Sequence, residues 1–496
     1  MLLDTGGNPF LCDRLGYEST IENGENIMKS HLAGKIIVFI QILLSAALLF
    51  LLKTTGLVPD TYFLILLIIL IVMAAFNMFL QFRKTRIFIL GIVLSILIII
   101  LSGLGIAGVL YAVRFMDRIA GLDYQTYDMV VVVKAEDKAE QLQDIANYRF
   151  GIQTASDTEN TEKMIQDMET NLGRTIKIQE YDNIQEEAQA LLSGRVEAAV
   201  YNNAFSGILE EYIDGYADQV KEIYRYGVEV PVETESREPE DTRESFNLYI
   251  SGIDVNGPIS TTSRSDVNII ASVNPQNHRI LLTSTPRDYY VTIPGVSGEQ
   301  RDKLTHAGIY GVDKSMETLE NLYGIDISYY VKVNFTSVVE IVDALGGVDV
   351  DSPYEFSTSK YHFNQGINHL DGDMALAFAR ERHSFTSGDN QRGKNQEILL
   401  TALIQKAMSP AILKNMGSLI DTLSSSVETN MSREQMTALI SRQLAEGSQW
   451  TIDSTAAIGA GDTQACYSSG SQPLYVMWPN EDSVENIKEK IEEVMK

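Results

Sequence analysis

The apolar positions of this chain follow two patterns. Between residues 35 and 116 they form three unbroken runs, 36–52, 62–82 and 87–113. Each is near the roughly 20 residues a helix needs to cross about 30 Å of hydrocarbon. Soluble core helices are usually shorter and keep a polar face, so membrane spans are expected here rather than a buried helical core. Gly103, Gly105 and Gly108 in the third run suit close helix packing. Lys29 and Lys35 precede the first run, and Arg83, Lys84 and Arg86 fill the second loop, against Lys53 and Asp60 in the first. Basic residues mark the inner side. Residues 1–34 are therefore expected as a cytoplasmic tail. The third span exits outward near Arg114, and the chain lies outside the cell from about Asp117 onward.

From residue 117 to 227 the pattern shortens and alternates. YDMVVVV reads as a strand, DKAEQLQDIANY as an amphipathic helix, FGIQTAS as a strand, and TEKMIQDMETNLG as a helix stopped by Gly173. TIKIQEY, EEAQALLSG and VEAAVYN continue as strand, helix, strand. This alternation predicts a small, partly parallel α/β accessory domain. Its order resembles a fragment of an extracytoplasmic solute-binding domain, although a spacer or docking module is the reading taken. VEVPVETESREPEDTRE, residues 228–244, has linker composition. The main domain is expected over 245–480 and a charged amphipathic helix, solvated on its polar face, over 481–496.

The net charge is −27 and the pI about 4.6. So acidic a chain repels nucleic-acid backbones. Cys12 and Cys466 are expected on opposite sides of the membrane and so should not pair, and two cysteines are too few for a disulfide framework or a zinc site.

The chemistry gathers between residues 245 and 396. Asp254 ends one apolar run, Arg264 and Asp266 open the next, and Arg287 with Asp288 follows a third. Arg264 and Asp266 share a face if extended. Arg380 and Arg382 stand two apart, Asp389 follows, and Arg392 and Gln396 are one helical turn apart. Lys303 reads as a weaker member or surface charge; His306 and His383 are the histidines nearest the cluster. Two carboxylates with several arginines suit a polyphosphate held by a hard cation and by forked donors. Residues 308–315 miss a P-loop because Asp313 stands where glycine is needed, and an SxxK at 357–360 lacks its companion motifs.

These motifs together resemble the LytR–CpsA–Psr family: SGID, SRSD, TSTPRD, DKLTHAGIYG, GGVDVD, LDGDMALAFARER and GDNQRGKNQ, over about 245–408. The three-span layout with an intermediate domain resembles the family's capsule-operon members in Gram-positive bacteria. The resemblance implies an α/β/α domain with a central mixed sheet. It also implies a magnesium-dependent phosphotransferase that moves a glycan polymer from a polyprenyl-pyrophosphate carrier to peptidoglycan. By the same resemblance Asp254 and Asp266 hold magnesium. Arg264, Arg287, Arg380, Arg382, Arg392 and Gln396 hold the pyrophosphate, and Asp266, then Asp254, takes the acceptor's proton. Val338, Val342, Leu345, Leu399 and Leu403 either line a lipid tunnel or form core. A pyrophosphatase using the same site, and a membrane sensor or scaffold working with other capsule-assembly proteins, are the alternatives.

Overall fold

The computed structural model describes residues 9–83, 87–120, 124–231, 243–253, 259–382, 384–385, 389–407, 427–470 and 473–496. Asp254, His383 and most of the linker lie outside the described residues, as does the side chain of Asp389.

Three helices open the chain: α1 (Pro9–Thr55), α2 (Asp60–Gln81) and α3 (Ile87–Ile119). The tail expected before the first span is therefore helical from Pro9. Leu32–Thr55, Asp60–Gln81 and Ile87–Ile119 are long and apolar enough to cross a membrane. Asn77 donates to Gln41 at 2.9 Å, both buried; such a bond ties neighbouring helices where no water competes. Of the three glycines singled out in the third span, Gly105 packs against Leu48, while Gly103 and Gly108 meet nothing nearby. This unit also takes in the segment Arg433–Gly447.

The second unit holds the rest. Its first sheet runs β3–β2–β4–β1–β5, with β1 at Tyr124–Lys134, β2 at Arg149–Gln153, β3 at Lys177–Tyr181, β4 at Ala198–Asn202 and β5 at Val220–Pro231. β3, β2 and β4 are parallel; β1 and β5 are antiparallel to their neighbours. Helices α4 (Thr158–Leu172) and α5 (Ile184–Ser193) end at Gly173 and Gly194, both left-handed, where a side chain would be strained. Two expectations fail here. DKAEQLQDIANY forms only a 3-10 turn, Leu142–Ile145, although Ala139, Leu142 and Ile145 are buried in the domain core. Val228–Pro231, assigned to the linker, continue β5, because β1 pairs along its full length with 220–231 and overrides local composition.

The main sheet is mixed. Its order is Val427–Thr429, Tyr329–Asn334, β6 (Phe246–Ile253), β7 (Ser265–Asn274), β8 (Arg279–Ser284), then Thr451–Ala456. β6 to β8 form an antiparallel meander, and the flanking strands run parallel to β6 and β8. One face buries Tyr249, Ile270, Leu281 and Tyr330 under helices Val312–Tyr323 and Glu481–Met495. The other buries Ile250, Ile269 and Leu282 against Leu400 and Ile404 of helix Asp389–Ala407. This is the expected α/β/α layering. The closing helix is more than a solvated appendage: Ile487, Ile491 and Val494 recur at helical spacing and are buried in that core. Val342 and Leu399, with Val338 and Leu403 beside them, join an aromatic cluster around Phe356, Phe363 and Phe378; Leu345 is also buried.

Candidate functional site

β7 pairs with both β6 and β8, so the start of β7 and the chain leaving β8 lie at one end of the sheet. Asp266 is the second residue of β7, and Arg287 follows β8 by three residues. Pro286 cannot extend the ladder, and the chain turns there. Arg287 Nη1 then reaches Asp266 Oδ1 at 3.0 Å. The side chains are 14% and 9% exposed, so this pair is shielded from water and is worth more than a surface ion pair. Thr305 closes the group: its hydroxyl donates to the same Oδ1 at 3.0 Å, and its N–H donates to the carbonyl of Arg287 at 2.8 Å.

Gly308 explains how Thr305 comes so close. A Cβ there would lie 2.5 Å from the carbonyl oxygen of Ser263 and 2.8 Å from the N of Ser265. Gly308, the first glycine in DKLTHAGIYG, is therefore a close-approach position against the segment that carries Arg264 and Asp266.

Helix Asp389–Ala407 supplies the opposite wall. Arg392 and Gln396, one turn apart, line a pocket with Asp266, Asn268, Thr285 and Arg287. Residues more than 120 apart in sequence thus face one space. Burial alone would raise the pKa of Asp266, but the charges of Arg287, Arg264 and Arg392 outweigh it and hold the carboxyl below its ordinary range.

Other expected residues fall elsewhere. Arg264 does not line the pocket; it bonds Glu211 at 2.9 Å, although its charge acts on Asp266. Arg380 ends the helix Gly372–Arg380 and is exposed, as is Arg382. The shared face argued from an extended chain does not apply to them, and neither lines the pocket. Lys303 is no surface charge: it is 3% exposed, between Glu211 at 2.8 Å and Asp288 at 3.3 Å. Asp288 Oδ2 lies 3.8 Å from Arg287 Nε. His306 is fully buried with Asp302 at 2.5 Å, and Asp302 also accepts from Ser468, so this histidine ties chain segments together away from the pocket. Thr305 and Glu211 were missed. Thr305 stands inside a quoted motif, but a threonine carries no charge to draw notice. Nothing in the sequence near Glu211 marks it.

Of the two carboxylates expected to hold a cation, only Asp266 is among the described residues. Asp266 Oδ1 is engaged by Arg287 and Thr305, while Oδ2 accepts no hydrogen bond among the described residues. No group of three metal-type ligands occurs among those residues.

A family model described as the LytR_cpsA_psr family matches residues 210–492, more than half of the chain. A second, DNA polymerase processivity factor, matches residues 83–201. The chain is 37% identical over 194 residues to a Bacillus cereus protein named polyisoprenyl-teichoic acid–peptidoglycan teichoic acid transferase TagU, covering 39% of this chain and 62% of that one. An Enterococcus faecalis protein of the same name is 34% identical over 199 residues, covering 40% and 65%. The chain thus spans less than two thirds of the length of these relatives. Among solved structures, Bacillus subtilis TagV is 28% identical, covering 51% of this chain and 98% of its own, with a TM-score of 0.43. TagT bound to LIIa-WTA is 27% identical, covering 52% and 94%, with a TM-score of 0.42.

Proposed function

Because the chain belongs to the LytR_cpsA_psr family, we propose that it is a membrane-anchored transferase. It moves a capsular or related polysaccharide from a polyprenyl-pyrophosphate carrier to peptidoglycan. The observation that carries this reading is the pocket in which Asp266, Arg287, Arg392 and Gln396 converge from three separate elements. Two guanidiniums and an amide facing one space suit a diphosphate. The teichoic acid named for the relatives is one polymer of the class; the capsular type is proposed from the three-span layout.

An acceptor hydroxyl on a peptidoglycan sugar attacks the phosphorus that carries the glycan. A new oxygen–phosphorus bond forms, the bond from that phosphorus to the bridging oxygen breaks, and polyprenyl phosphate leaves. Arg287 and Arg392 neutralise charge on the two phosphates, and Asp266 holds Arg287 in place for this. Preorganised charge of this kind supplies most of the acceleration in phosphoryl transfer. Asp266 and Asp254 would hold magnesium, which would supply further charge neutralisation for the phosphates. Asp266 fixes the orientation of Arg287 through its ion pair. The acceptor's proton is assigned first to Asp266 and second to Asp254. Arg264 acts beside the pocket, and Arg380 and Arg382 bind outlying phosphate or glycan.

The basic residues flanking the spans argue for a cytoplasmic N-terminus, with the catalytic domain on the outer face where carrier and wall meet. No nucleic-acid partner is proposed, since the chain carries a net −27. Replacing the native copy by Arg392→Ala and measuring polymer covalently bound to the wall tests the proposal. Polymer should be lost from the wall and appear in the medium; normal wall attachment would leave only a scaffolding role.

A further inference from the structure

The accessory domain contacts two cations, Arg264 and Lys303, that stand beside the pocket rather than in its lining. Helix α6 (Ser206–Tyr212) carries Glu211, whose two oxygens take two different cations of the main domain. Oε1 accepts from Arg264 Nη1 at 2.9 Å and Oε2 from Lys303 Nζ at 2.8 Å. One turn earlier on the same helix, Gly207 lies against the guanidinium of Arg264, and a Cβ there would sit 2.3 Å from Arg264 Cζ. The two residues form a cradle for one arginine: one removes bulk and the other supplies charge.

The cradle is held from both sides. Thr126 of β1 donates its N–H to the carbonyl of Ser260 and its carbonyl accepts from the N–H of Thr262, both at 2.9 Å, which fixes the segment leading into Arg264. Phe205, Ile208 and Leu209 around α6 share a buried cluster with Ile309 of the main domain. A flexible tether would produce neither feature.

We propose that Glu211 is a positioning residue of the phosphate site, so that the accessory domain is a working part of that site. This rests on the transferase reading above. Lys303 is almost fully buried, and a buried ammonium is costly without anions around it. It has two, Glu211 and Asp288, and Asp288 is next to Arg287. Without Glu211, Lys303 falls back on Asp288 alone and Arg264 loses its anchor. The cations are then no longer held where a phosphate needs them, and a preorganised site weakens. Simple charge counting points the other way, because removing a carboxylate beside an anion site tightens anion binding. The sign of the effect therefore separates the two roles.

The test uses the full chain in detergent micelles with magnesium, titrated with a polyprenyl pyrophosphate that carries no glycan. Wild type should bind. Glu211→Ala should weaken binding about fivefold to tenfold, Glu211→Gln should fall between, and Gly207→Ala should weaken binding with no change of charge. In an Arg264→Ala background the Glu211→Ala effect should shrink, a non-additivity that loss of folding would not produce. Tighter binding by Glu211→Ala would make Glu211 a competitor of phosphate, and unchanged binding would make it mere adhesion between domains; either overturns the proposal. Failure of wild type to bind overturns the phosphate-site reading and this inference with it.

Discussion

Arg287 Nη1 lies 3.0 Å from Asp266 Oδ1 at the end of the main sheet, and both side chains are largely shielded from water. Each explains the other's state. The arginine keeps the carboxylate ionised in a buried place, and the carboxylate fixes the direction of the guanidinium. Replacing Arg287 by Ala should therefore lower transfer about 100- to 1,000-fold, the usual cost of a lost charge-stabilising donor. Lysine should restore little, since it lacks the fork. Steady-state rates on a lipid-linked oligosaccharide check this, and a loss under about tenfold would remove Arg287 from the mechanism.

The same pair makes stability depend on pH. The folded pKa of Asp266 is depressed, so it contributes stability above the unfolded value, about 3.9. That contribution disappears as pH falls through the lower folded value. The unfolding free energies of wild type and Asp266→Asn should differ by a constant amount from about pH 5 to 8 and converge only below about pH 4. Denaturant titrations across that range read the difference.

Gly308 should tolerate no side chain. Its Cβ would meet backbone atoms of Ser263 and Ser265, which cannot yield as a flexible side chain does. Gly308→Ala should cost about 1–3 kcal/mol, the range for overpacking, and should lower transfer because the displaced strand carries Arg264 and Asp266. Thermal unfolding and turnover of one preparation measure both.

Lys332 and Glu428 form a buried pair across two neighbouring strands at 3.7 Å, and Tyr330 donates to Glu428 at 2.8 Å. The burial of Lys332 outweighs the pull of Glu428 and lowers its pKa. Removing Glu428 alone should cost about 3–5 kcal/mol, whereas replacing both by apolar residues of similar volume should be nearly neutral. A double-mutant cycle on unfolding free energy gives the comparison.

The three long apolar helices and most of the alternating accessory domain were legible from apolar runs and short strands, whereas the mixed main sheet was expected from the family resemblance. The pair Arg392 and Gln396 was legible because helical spacing predicts a shared face. Arg380 misled because its i, i+2 relation to Arg382 depends on a strand, and the stretch before it instead folds as the helix Gly372–Arg380. Local composition also lost to pairing at Val228–Pro231, where β1 extends β5. Lys303 was noticed only as a weak member of the cluster, and Glu211 was not noticed at all. Their partnership joins residues 92 apart in two domains, and only the fold shows that a lysine in a polar stretch is buried.

A single reaction tests the proposed activity most directly. Full-length chain in micelles would be given a lipid-linked oligosaccharide, uncross-linked peptidoglycan and magnesium, with Asp266→Ala alongside, and covalent products read by mass spectrometry. The structure leads us to expect a glycan–peptidoglycan phosphodiester that depends on magnesium and is absent with the variant. Free glycan phosphate in its place would mean that water is the acceptor, and intact carrier bound without any product would mean that the pocket holds the lipid but transfers nothing.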